Sequence, residues 1–210
     1  MDRPIYLDHH ATTPLDPLVL EAMVAVPRHA FVPDSIRHAA YGDRALPIGY
    51  GATISQPYIV ALMTASLQID RQALRVLEVG TGSGYQAAVL AECGCRVYSI
   101  ERVPELHARA SEVLQVQGYG DRIHLRLGDG SRGWPEEAPF DRVIVTAAAG
   151  AVPAALLEQT AAGGQLIAPV GSTRGQVIRR YRRWNDDWKT TDIEGAVFVP
   201  LIEDPPGGKD

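Results

Sequence analysis

Apolar residues recur along this chain in short runs, separated by stretches of helical periodicity. Aliphatic runs predict strands at 76–79, 96–100, 123–127, 140–146 and 165–170. Apolar positions at helical spacing predict helices at 85–91, 104–116 and 153–160. Strands that alternate with helices form mostly parallel sheets, because each parallel pair needs a crossover connection. The pattern therefore predicts an α/β fold with a mostly parallel, doubly wound sheet.

The pattern changes near the C-terminus, where no further helix is predicted. Residues 176–188 and a second run ending at Leu201 predict antiparallel strands at the sheet edge. The first run carries four arginines, namely Arg179, Arg180, Arg182 and Arg183. Clustered arginines are compatible with RNA binding, but charged side chains also keep an edge strand from pairing with other chains. We favour the solvated edge.

Two more helices and two connections are predicted in the remaining segments. Asp16 followed by Pro17 is typical of a helix start, and the next residues are apolar at helical spacing. Residues 45–51 are punctuated by glycine and proline, which predicts a loop. A second helical pattern starts at Tyr58, and the glycine pair at 163–164 predicts a turn before the strand that follows.

Residues 76–85 (VLEVGTGSGY) predict a strand, a tight turn and the start of a helix. Gly80, Gly82 and Gly84 can take positive φ in this turn and let the backbone approach a bound ligand closely. The dinucleotide-binding pattern needs a third small residue where this chain has Tyr85. The turn therefore predicts a pocket for a different adenosine-containing cofactor.

Two carboxylates follow this turn at the ends of the next predicted strands. Glu101 ends the strand at 96–100, where an acid in such folds accepts hydrogen bonds from ribose hydroxyls. Asp129 follows the strand at 123–127, where its carboxylate can accept from an adenine amino group. The turn, Glu101 and Asp129 in this order are a stronger signal for an adenosine site than the turn alone.

Polar residues crowd the predicted N-terminus of the helix that starts near Tyr58. Thr53, Ser55 and Gln56 lie there, just before Pro57. A helix N-terminus offers unpaired backbone N–H groups and a partial positive charge, which favour a bound carboxylate. The alternative is that Ser55 only caps the helix, and these residues alone leave both interpretations open.

Composition narrows the function classes. The chain has 210 residues, 46% hydrophobic and 21% charged, as in a globular protein with one sizeable core. Its formal net charge of −5 argues against a protein built around nucleic-acid phosphate. It contains no apolar run long enough for a membrane helix, and its first residues lack a signal-peptide pattern. We therefore expect a cytoplasmic protein that binds neither nucleic acid nor membrane.

Metal and disulfide chemistry are not predicted. Cys93 and Cys95 lie two residues apart, too close for an ordinary disulfide and too few for a metal site. The six histidines show no metal-binding spacing. We expect two reduced thiols, buried or half-buried, and no bound metal.

Six segments carry a resemblance to a known family: 26–33 (VPRHAFVP), 46–49 (LPIG), 53–57 (TISQP), 78–85 (EVGTGSGY), 128–130 (GDG) and 198–201 (FVPL). Over residues 16–202 the chain resembles the protein-L-isoaspartate O-methyltransferases. The glycine motif is shared by many methyltransferases, whereas the TISQP and FVPL segments look specific to this family. The resemblance implies a Rossmann-like fold that binds S-adenosylmethionine, and protein repair by methylation of isoaspartyl carboxylates. It also suggests a monomer.

The resemblance implies roles for individual residues. Ser55 would hold the substrate carboxylate as the active-site residue. Substrate-binding positions would be Thr53, Ile54, Gln56 and Val199. Cofactor-binding positions would be Glu78, Gly80, Thr81, Gly82, Ser83, Glu101, Asp129, Gly130 and Thr146. Two other functions stay open, a related methyltransferase with a small-molecule or tailored-peptide substrate and a cofactor-binding module without turnover.

The first residues depart from this family pattern. Residues 1–15 form an atypical segment, of which 4–14 resemble the opening of a cysteine desulfurase, a pyridoxal-phosphate enzyme. Such an enzyme needs a lysine for its Schiff base, and this chain has only Lys189 and Lys209. We therefore predict no desulfurase chemistry. Residues 203–210 have little to bury and are expected to be a disordered tail.

Overall fold

The computed structural model describes residues 16–70, 72–172, 175–185 and 187–202. Its helices are α1 (Pro17–Ala25), α2 (Pro57–Ser66), α3 (Tyr85–Glu92), α4 (Pro104–Val116) and α5 (Ala154–Glu158). Its strands are β1 (Leu46–Gly49), β2 (Ala52–Ile54), β3 (Arg75–Val79), β4 (Arg96–Glu101), β5 (Ile123–Leu127), β6 (Phe140–Val145), β7 (Thr160–Ser172), β8 (Gly175–Trp184) and β9 (Asp187–Ala196). The predictions for residues 1–15 and 203–210 lie outside the described residues.

In the described part of the chain, seven strands form one sheet in the order β5-β4-β3-β6-β7-β8-β9. Strands β5, β4, β3, β6 and β7 run parallel, and β8 and β9 continue the sheet antiparallel. From β3 the chain first adds β4 and β5 on one side of the sheet and then adds β6 and β7 on the other side. The strand order therefore reverses between β3 and β6. Open α/β sheets bind ligands at such a switch point, outside the carboxyl ends of the strands. The predicted mostly parallel, doubly wound sheet with antiparallel edge strands is confirmed.

Both faces of the sheet are covered. Successive residues of a strand point to opposite faces, and β3 shows this directly. Val76 packs in the cluster with α1 to α4, whereas Leu77 and Val79 pack in the cluster on the other face. This burial on two sides explains why β3 is apolar without alternation. Helix α3 is buried from Tyr85 to Ala91, so the glycine turn leads directly into the core.

The start of α1 matches its prediction. Asp16 is the N-cap, and its Oδ1 accepts the N–H of Leu18 at 2.9 Å. Helix α4 and strand β5 have the predicted bounds, 104–116 and 123–127. These elements have local start signals or strong periodicity, which is why their limits could be predicted. No helix in the described ranges combines the length and the hydropathy needed to cross a membrane.

The prediction of a loop at 45–51 is wrong. Strands β1 and β2 pair antiparallel as a hairpin, with Leu46 opposite Ile54. The tip, Tyr50 and Gly51, has φ of 53° and 74°. Positive φ at both central residues is what a type I′ hairpin turn requires. The hairpin projects Thr53 toward the switch point and is the first element of the site that the sequence pattern did not reveal.

Two strand limits near the C-terminus also differ from the predictions. The glycine pair at 163–164 does not form a turn but lies within β7, where a register shift between Phe140 and Arg142 accommodates it. Strand β9 ends at Ala196 and not at Leu201. The segment after β9 leaves the sheet because Ala148 holds it: the Ala148 N–H donates to the carbonyl of Val199 at 2.8 Å.

The arginine-rich run forms β8, which lies between β7 and β9 and is not the edge strand that we expected. Arg179 forms an exposed ion pair with Asp192 of the neighbouring strand. Arg183 Nη1 donates to the carbonyl of Thr160 at 2.6 Å. Protection of a free edge does not explain these arginines, because β9 and not β8 forms the edge of the sheet.

Candidate functional site

The glycine turn between β3 and α3 has the backbone conformation that the sequence predicts. Gly80, Gly82 and Gly84 have φ of 97°, 54° and 84°, which side chains disfavour. The N–H of Gly80 donates to the carbonyl of Ile100 at 2.9 Å and ties the turn to the end of β4. A Cβ on Gly80 would lie 2.4 Å from Thr146 Oγ1, so only glycine fits there.

Glu101 ends β4 and braces this turn. Its Oε2 accepts the N–H of Gly82 at 2.8 Å, and its Oε1 accepts the N–H of Val103 at 3.0 Å. The residue is only 6% exposed. Each carboxylate oxygen can accept more than one hydrogen bond. Glu101 can therefore hold the turn and still accept from hydroxyl groups of a ligand.

A cavity of about 300 Å³ opens at the carboxyl ends of β3, β4 and β6; we name it the Glu101 cavity. Its wall includes Glu101, the glycines Gly80 and Gly82, and the apolar residues Ile100 and Leu106. A cavity of this size with a mostly apolar wall and few polar groups is typical of a small-molecule site.

A second cavity of about 300 Å³, the Ser55 cavity, lies between the start of α2 and the segment that follows β9. Ser55, Gln56 and Ile59 line one side. Residues 195–199 line the other side. The wall thus combines the hydroxyls of Ser55, Thr53 and Thr146 and one amide with a largely apolar surface, which suits a peptide-like ligand with a polar end.

The two cavities share part of their walls. Thr53, Thr146 and Val199 line both of them. Thr53 and Thr146 also line a third cavity of about 40 Å³, together with Ser55 and Ser83. A molecule in the Glu101 cavity therefore adjoins a molecule in the Ser55 cavity. This arrangement suits the transfer of a small group between two bound molecules.

The start of α2 differs from what we expected. Gln56 is its N-cap residue and makes no side-chain cap hydrogen bond. Asp43 provides the cap instead: Oδ1 accepts the Tyr58 N–H at 3.0 Å, and Oδ2 accepts from Gln56 Nε2 at 2.8 Å. The chain's own carboxylate thus lies where we expected the helix end to attract a substrate. The interpretation of Ser55 as the cap is also wrong, because Ser55 precedes the N-cap.

A family-wide sequence profile described as Protein-L-isoaspartate(D-aspartate) O-methyltransferase (PCMT) matches residues 8–205. The chain belongs to this family. The match extends beyond the residues 16–202 in which the resemblance was found. Over 188 residues the chain is 54% identical to Protein-L-isoaspartate O-methyltransferase 1 of Anaeromyxobacter sp. (strain Fw109-5), covering 89% of this chain and 88% of that relative.

Solved structures agree with this membership of the PCMT family. A structure described as protein-L-isoaspartate O-methyltransferase superposes with a TM-score of 0.82 at 26% identity, covering 89% of this chain and 61% of that longer chain. A Plasmodium falciparum structure described as a beta-aspartate methyltransferase (PCMT) in complex with S-adenosyl-L-homocysteine has a TM-score of 0.79 at 23% identity, covering 90% and 92%. At that identity the second likeness shows the fold alone.

Thr146 joins the two halves of this PCMT-family site. It follows β6, and its hydroxyl donates to the carbonyls of Gly80 at 2.6 Å and Val79 at 3.0 Å. The bonds fix the end of β3 against the end of β6. A cofactor-binding role for Thr146 stays a prediction, but its place on the wall of all three cavities is consistent with it.

Glu78 lies behind the glycine turn and on the wall of neither large cavity. It is fully buried and accepts a hydrogen bond from the Ser99 hydroxyl, which lies 2.6 Å from Thr81 Oγ1. Among the described residues, none bonds its other oxygen, Oε1. Burial raises the pKa of Glu78 to about 8. Glu78 supports the turn from behind, whereas Thr81 belongs to the turn and lines the small third cavity. Their direct contact with a cofactor stays a prediction.

Asp129 is engaged within its own turn. Its Oδ1 accepts the N–H of Ser131 at 2.9 Å, and Arg132 Nε lies 3.9 Å from its Oδ2. Its side chain is 3% exposed. The neighbouring Gly130 lines the Glu101 cavity. Asp129 thus shapes the cavity wall at Gly130, and its contact with an adenine stays a prediction.

The predicted substrate positions divide into two groups. Thr53, Gln56 and Val199 have surface on the Ser55 cavity. Ile54 is only 2% exposed and packs in the core, but it also lines the small third cavity beside Ser55. Ser83 lines the small third cavity and accepts the N–H of Tyr85 at 3.3 Å.

Two residues that position the site were not singled out from the sequence. Asp43 gave no signal because it lies in a loop, 13 residues before Gln56, the side chain that it binds. Arg28 was noted only as part of a motif, yet its Nη2 donates to the carbonyl of Ser55 at 2.7 Å. An arginine within an apolar segment was the one available hint.

No group of three or more histidine, cysteine, aspartate or glutamate residues in the described ranges is arranged to hold a metal ion. Cys93 and Cys95 are buried free thiols, as predicted. Burial raises the pKa of each to about 12, so both are unreactive thiols at neutral pH.

Proposed function

We infer that this chain transfers a methyl group from S-adenosylmethionine to the carboxylate of isoaspartyl residues in damaged proteins. The observation that carries the proposal is the pair of adjoining cavities, which share Thr53, Thr146 and Val199. Glu101 and the glycine turn line one of them, and Ser55 lines the other. Membership in the PCMT family indicates which reaction joins the two cavities, namely methylation of an isoaspartyl carboxylate.

The Glu101 cavity fits the cofactor. Gly80 and Gly82 form part of its wall at positive φ, and a Cβ on Gly80 would lie 2.4 Å from Thr146 Oγ1, which belongs to the same wall. Glu101 can accept from ribose hydroxyls. When bound, S-adenosylmethionine supplies an electrophilic methyl group on a sulfonium. Ile100 and Leu106 add apolar surface on which the adenosine can pack.

The Ser55 cavity has to aim a nucleophile and does not have to create one. An aspartyl-type carboxylate has a pKa of about 4, so it is ionised at neutral pH and needs no general base. Ser55 can donate its hydroxyl proton to one oxygen and leave the other free to attack. Correct placement of two held reactants is worth up to about 7–11 kcal/mol. Orientation is therefore the main task of Ser55 and of the wall around it.

One assay tests the proposed function. S-adenosylmethionine labelled in its methyl group is offered with a peptide that contains isoaspartate and with the same peptide containing aspartate. We expect label in the isoaspartyl peptide alone. Equal labelling of both peptides would contradict the claimed specificity.

The same assay distinguishes the rival functions when cofactor binding is measured by titration calorimetry. Binding of S-adenosylhomocysteine without labelling of either peptide favours a methyltransferase with another substrate or a binding module. Screening small carboxylic acids with the same label separates those two. Failure to bind S-adenosylhomocysteine would overturn the cofactor assignment as well.

Residues 1–15 add no second activity in this proposal. Lys189 lies exposed on β9 and lines none of the three cavities described above, and Lys209 lies outside the described residues. Incubation with pyridoxal phosphate should give no Schiff-base absorbance, and cysteine should release no sulfide. A band with turnover would contradict this prediction.

The oligomeric state and the cellular location are part of the proposal. We expect a monomer in the cytoplasm that recognises isoaspartyl proteins as its partners, on the composition and family arguments. Light scattering at micromolar concentration would contradict the monomer if it gave twice the mass of one chain.

A further inference from the structure

Arg28 is a buried cation beside the predicted active-site serine. It is 2% exposed and follows α1 in the short 3-10 helix Arg28–Phe31. Its Nε donates to the carbonyl of Ala40 at 2.8 Å, and its Nη2 donates to the carbonyl of Ser55 at 2.7 Å. The planar guanidinium thus connects two segments that are otherwise separated along the chain, and one of them carries Ser55.

The surroundings of this guanidinium are costly for a charge. The groups nearest to it are two carbonyls and Tyr85, whose ring centroid lies 4.9 Å from the guanidinium carbon, and both Tyr85 and the Asp43 carboxylate favour its charged form. Its Nη1 is buried and has no hydrogen-bond partner among the described residues. Burial lowers the pKa of Arg28 to about 10. Because burial outweighs the favourable interactions with Tyr85 and Asp43, the charge of Arg28 contributes little stability of its own at this position.

Arg142 provides an internal comparison. It is also buried, at 6% exposed, and donates to backbone carbonyls, those of Leu67 at 2.6 Å and Gln68 at 2.9 Å. These carbonyls lie at the C-terminal end of α2, where a cation stabilises the helix. Arg142 lies opposite Val76 near the amino ends of β6 and β3, whereas the cavities lie at the carboxyl ends of these strands. Arg28 therefore bonds the segment before α2, and Arg142 bonds the segment at its C-terminal end. Of these two arginines, only Arg28 bonds a residue that lines a cavity.

We propose that Arg28 is a positioning residue for Ser55: it fixes the Ser55 backbone so that the side-chain hydroxyl faces the substrate carboxylate. The inference rests on the proposed function. Ser55 precedes the N-cap of α2, and no helical hydrogen bond fixes its carbonyl. Arg28 Nη2 donates to this carbonyl and fixes it in place of a helical hydrogen bond. The contact with Tyr85, the first residue of α3, also links the Ser55 segment to the element that follows the glycine turn.

The test compares Arg28→Lys with Arg142→Lys. A lysine keeps the charge but cannot donate to two carbonyls with the fixed fork of a guanidinium. For Arg28→Lys we expect kcat/KM for the isoaspartyl peptide to fall about 10- to 100-fold, with S-adenosylhomocysteine affinity within about twofold of wild type. Arg142→Lys should lose stability without changing kcat/KM. Peptide affinity in the presence of S-adenosylhomocysteine, measured by calorimetry, provides a readout without turnover.

Coupling to Ser55→Ala separates positioning from general damage. If Arg28 acts through Ser55, Arg28→Lys should have almost no further effect on kcat/KM in the Ser55→Ala background, whereas independent effects would multiply. Should Arg28→Lys fail to fold, Arg28→Met, which fills the space without a charge, takes its place in the same cycle.

The outcomes are distinguishable. Multiplicative effects, or equal losses in the Arg28 and Arg142 variants, would overturn the positioning role while the wild type still methylates the peptide. A wild type that methylates no isoaspartyl peptide would overturn the proposed function, and with it this inference.

Discussion

The Glu101 cavity and the Ser55 cavity have similar volumes, about 300 Å³ each, but they are built in different ways. The wall of the Glu101 cavity comes largely from the ends of neighbouring parallel strands, where Val79, Ile100 and Thr146 meet. The wall of the Ser55 cavity comes from the start of α2 and from the segment after β9, which are more than 130 residues apart in the chain.

This difference explains which half of the site has a recognisable sequence motif. Parallel strands bring their carboxyl ends to one edge, so a glycine turn and an acid at a strand end are enough to predict a cofactor site. The Ser55 cavity depends on contacts such as Ala148 with Val199, which no local pattern encodes. Variants on the two sides should therefore fail in different ways.

The largest effect is expected at the glycine turn. Gly80→Ala places a Cβ 2.4 Å from Thr146 Oγ1 at a φ of 97°, so strain and overpacking should cost about 2–5 kcal/mol and abolish cofactor binding. Gly118→Ala is the matched control, since its φ is 82° but no atom lies within 4 Å of the added Cβ. Urea unfolding and calorimetry with S-adenosylhomocysteine measure both. Normal binding by Gly80→Ala would show that the turn does not form the cofactor site.

The strands and the glycine turn around the Glu101 cavity could be predicted from the sequence because their signals are local, whereas the contacts with a cofactor stay predictions. The run 123–127 gave β5 without error, and Asp16 marked the start of α1. For the substrate half, the residues indicated a carboxylate site at the start of α2 but left the role of Ser55 open, and only the resemblance implied an active-site role for it. Gln176 shows why: its side chain accepts from the Phe198 N–H at 2.6 Å and holds the segment that follows β9 next to the start of β8. A side chain that bonds a backbone 22 residues away leaves no periodic pattern.

The buried acid behind the glycine turn gives a test with a defined pH dependence. Burial raises the pKa of Glu78 to about 8 in the folded state, above its ordinary value. Between these two values the folded chain keeps a proton that the unfolded chain loses, so wild-type stability should fall as pH rises toward 8 and then level off. Glu78→Gln removes this titration.

We expect the stability of Glu78→Gln relative to wild type to increase by about 2–4 kcal/mol between pH 5 and pH 9. Urea unfolding across that range measures it. Parallel curves for the two proteins would show that Glu78 is ionised in the folded state, contrary to its surroundings.

Crossed substitutions separate the two cavities directly. Ser55→Ala should lower kcat/KM for the isoaspartyl peptide, with a loss of transition-state stabilisation of about 1–3 kcal/mol. Cofactor affinity should stay nearly unchanged. Glu101→Gln should weaken S-adenosylhomocysteine binding by a similar amount, because an amide cannot accept from both the Gly82 and the Val103 N–H groups. If Ser55→Ala abolished cofactor binding instead, the division of the site into two cavities would be incorrect.

The smallest effect is expected at the cap of α2, where the chain's own carboxylate lies close to the substrate side. Asp43→Asn keeps an acceptor for the Tyr58 N–H but removes the negative charge, and the cost to stability should be about 0.3–1 kcal/mol. Because a like charge near the Ser55 cavity opposes a substrate carboxylate, the variant should also lower KM for the isoaspartyl peptide about two- to fivefold.

Asp16→Asn is the matched control, since Asp16 caps α1 through the Leu18 N–H in the same way and lines neither cavity. Steady-state kinetics at low ionic strength, where exposed charges are least screened, gives the comparison. A KM that rises in Asp43→Asn would mean that this carboxylate shapes the cavity through Gln56 more than it repels the substrate.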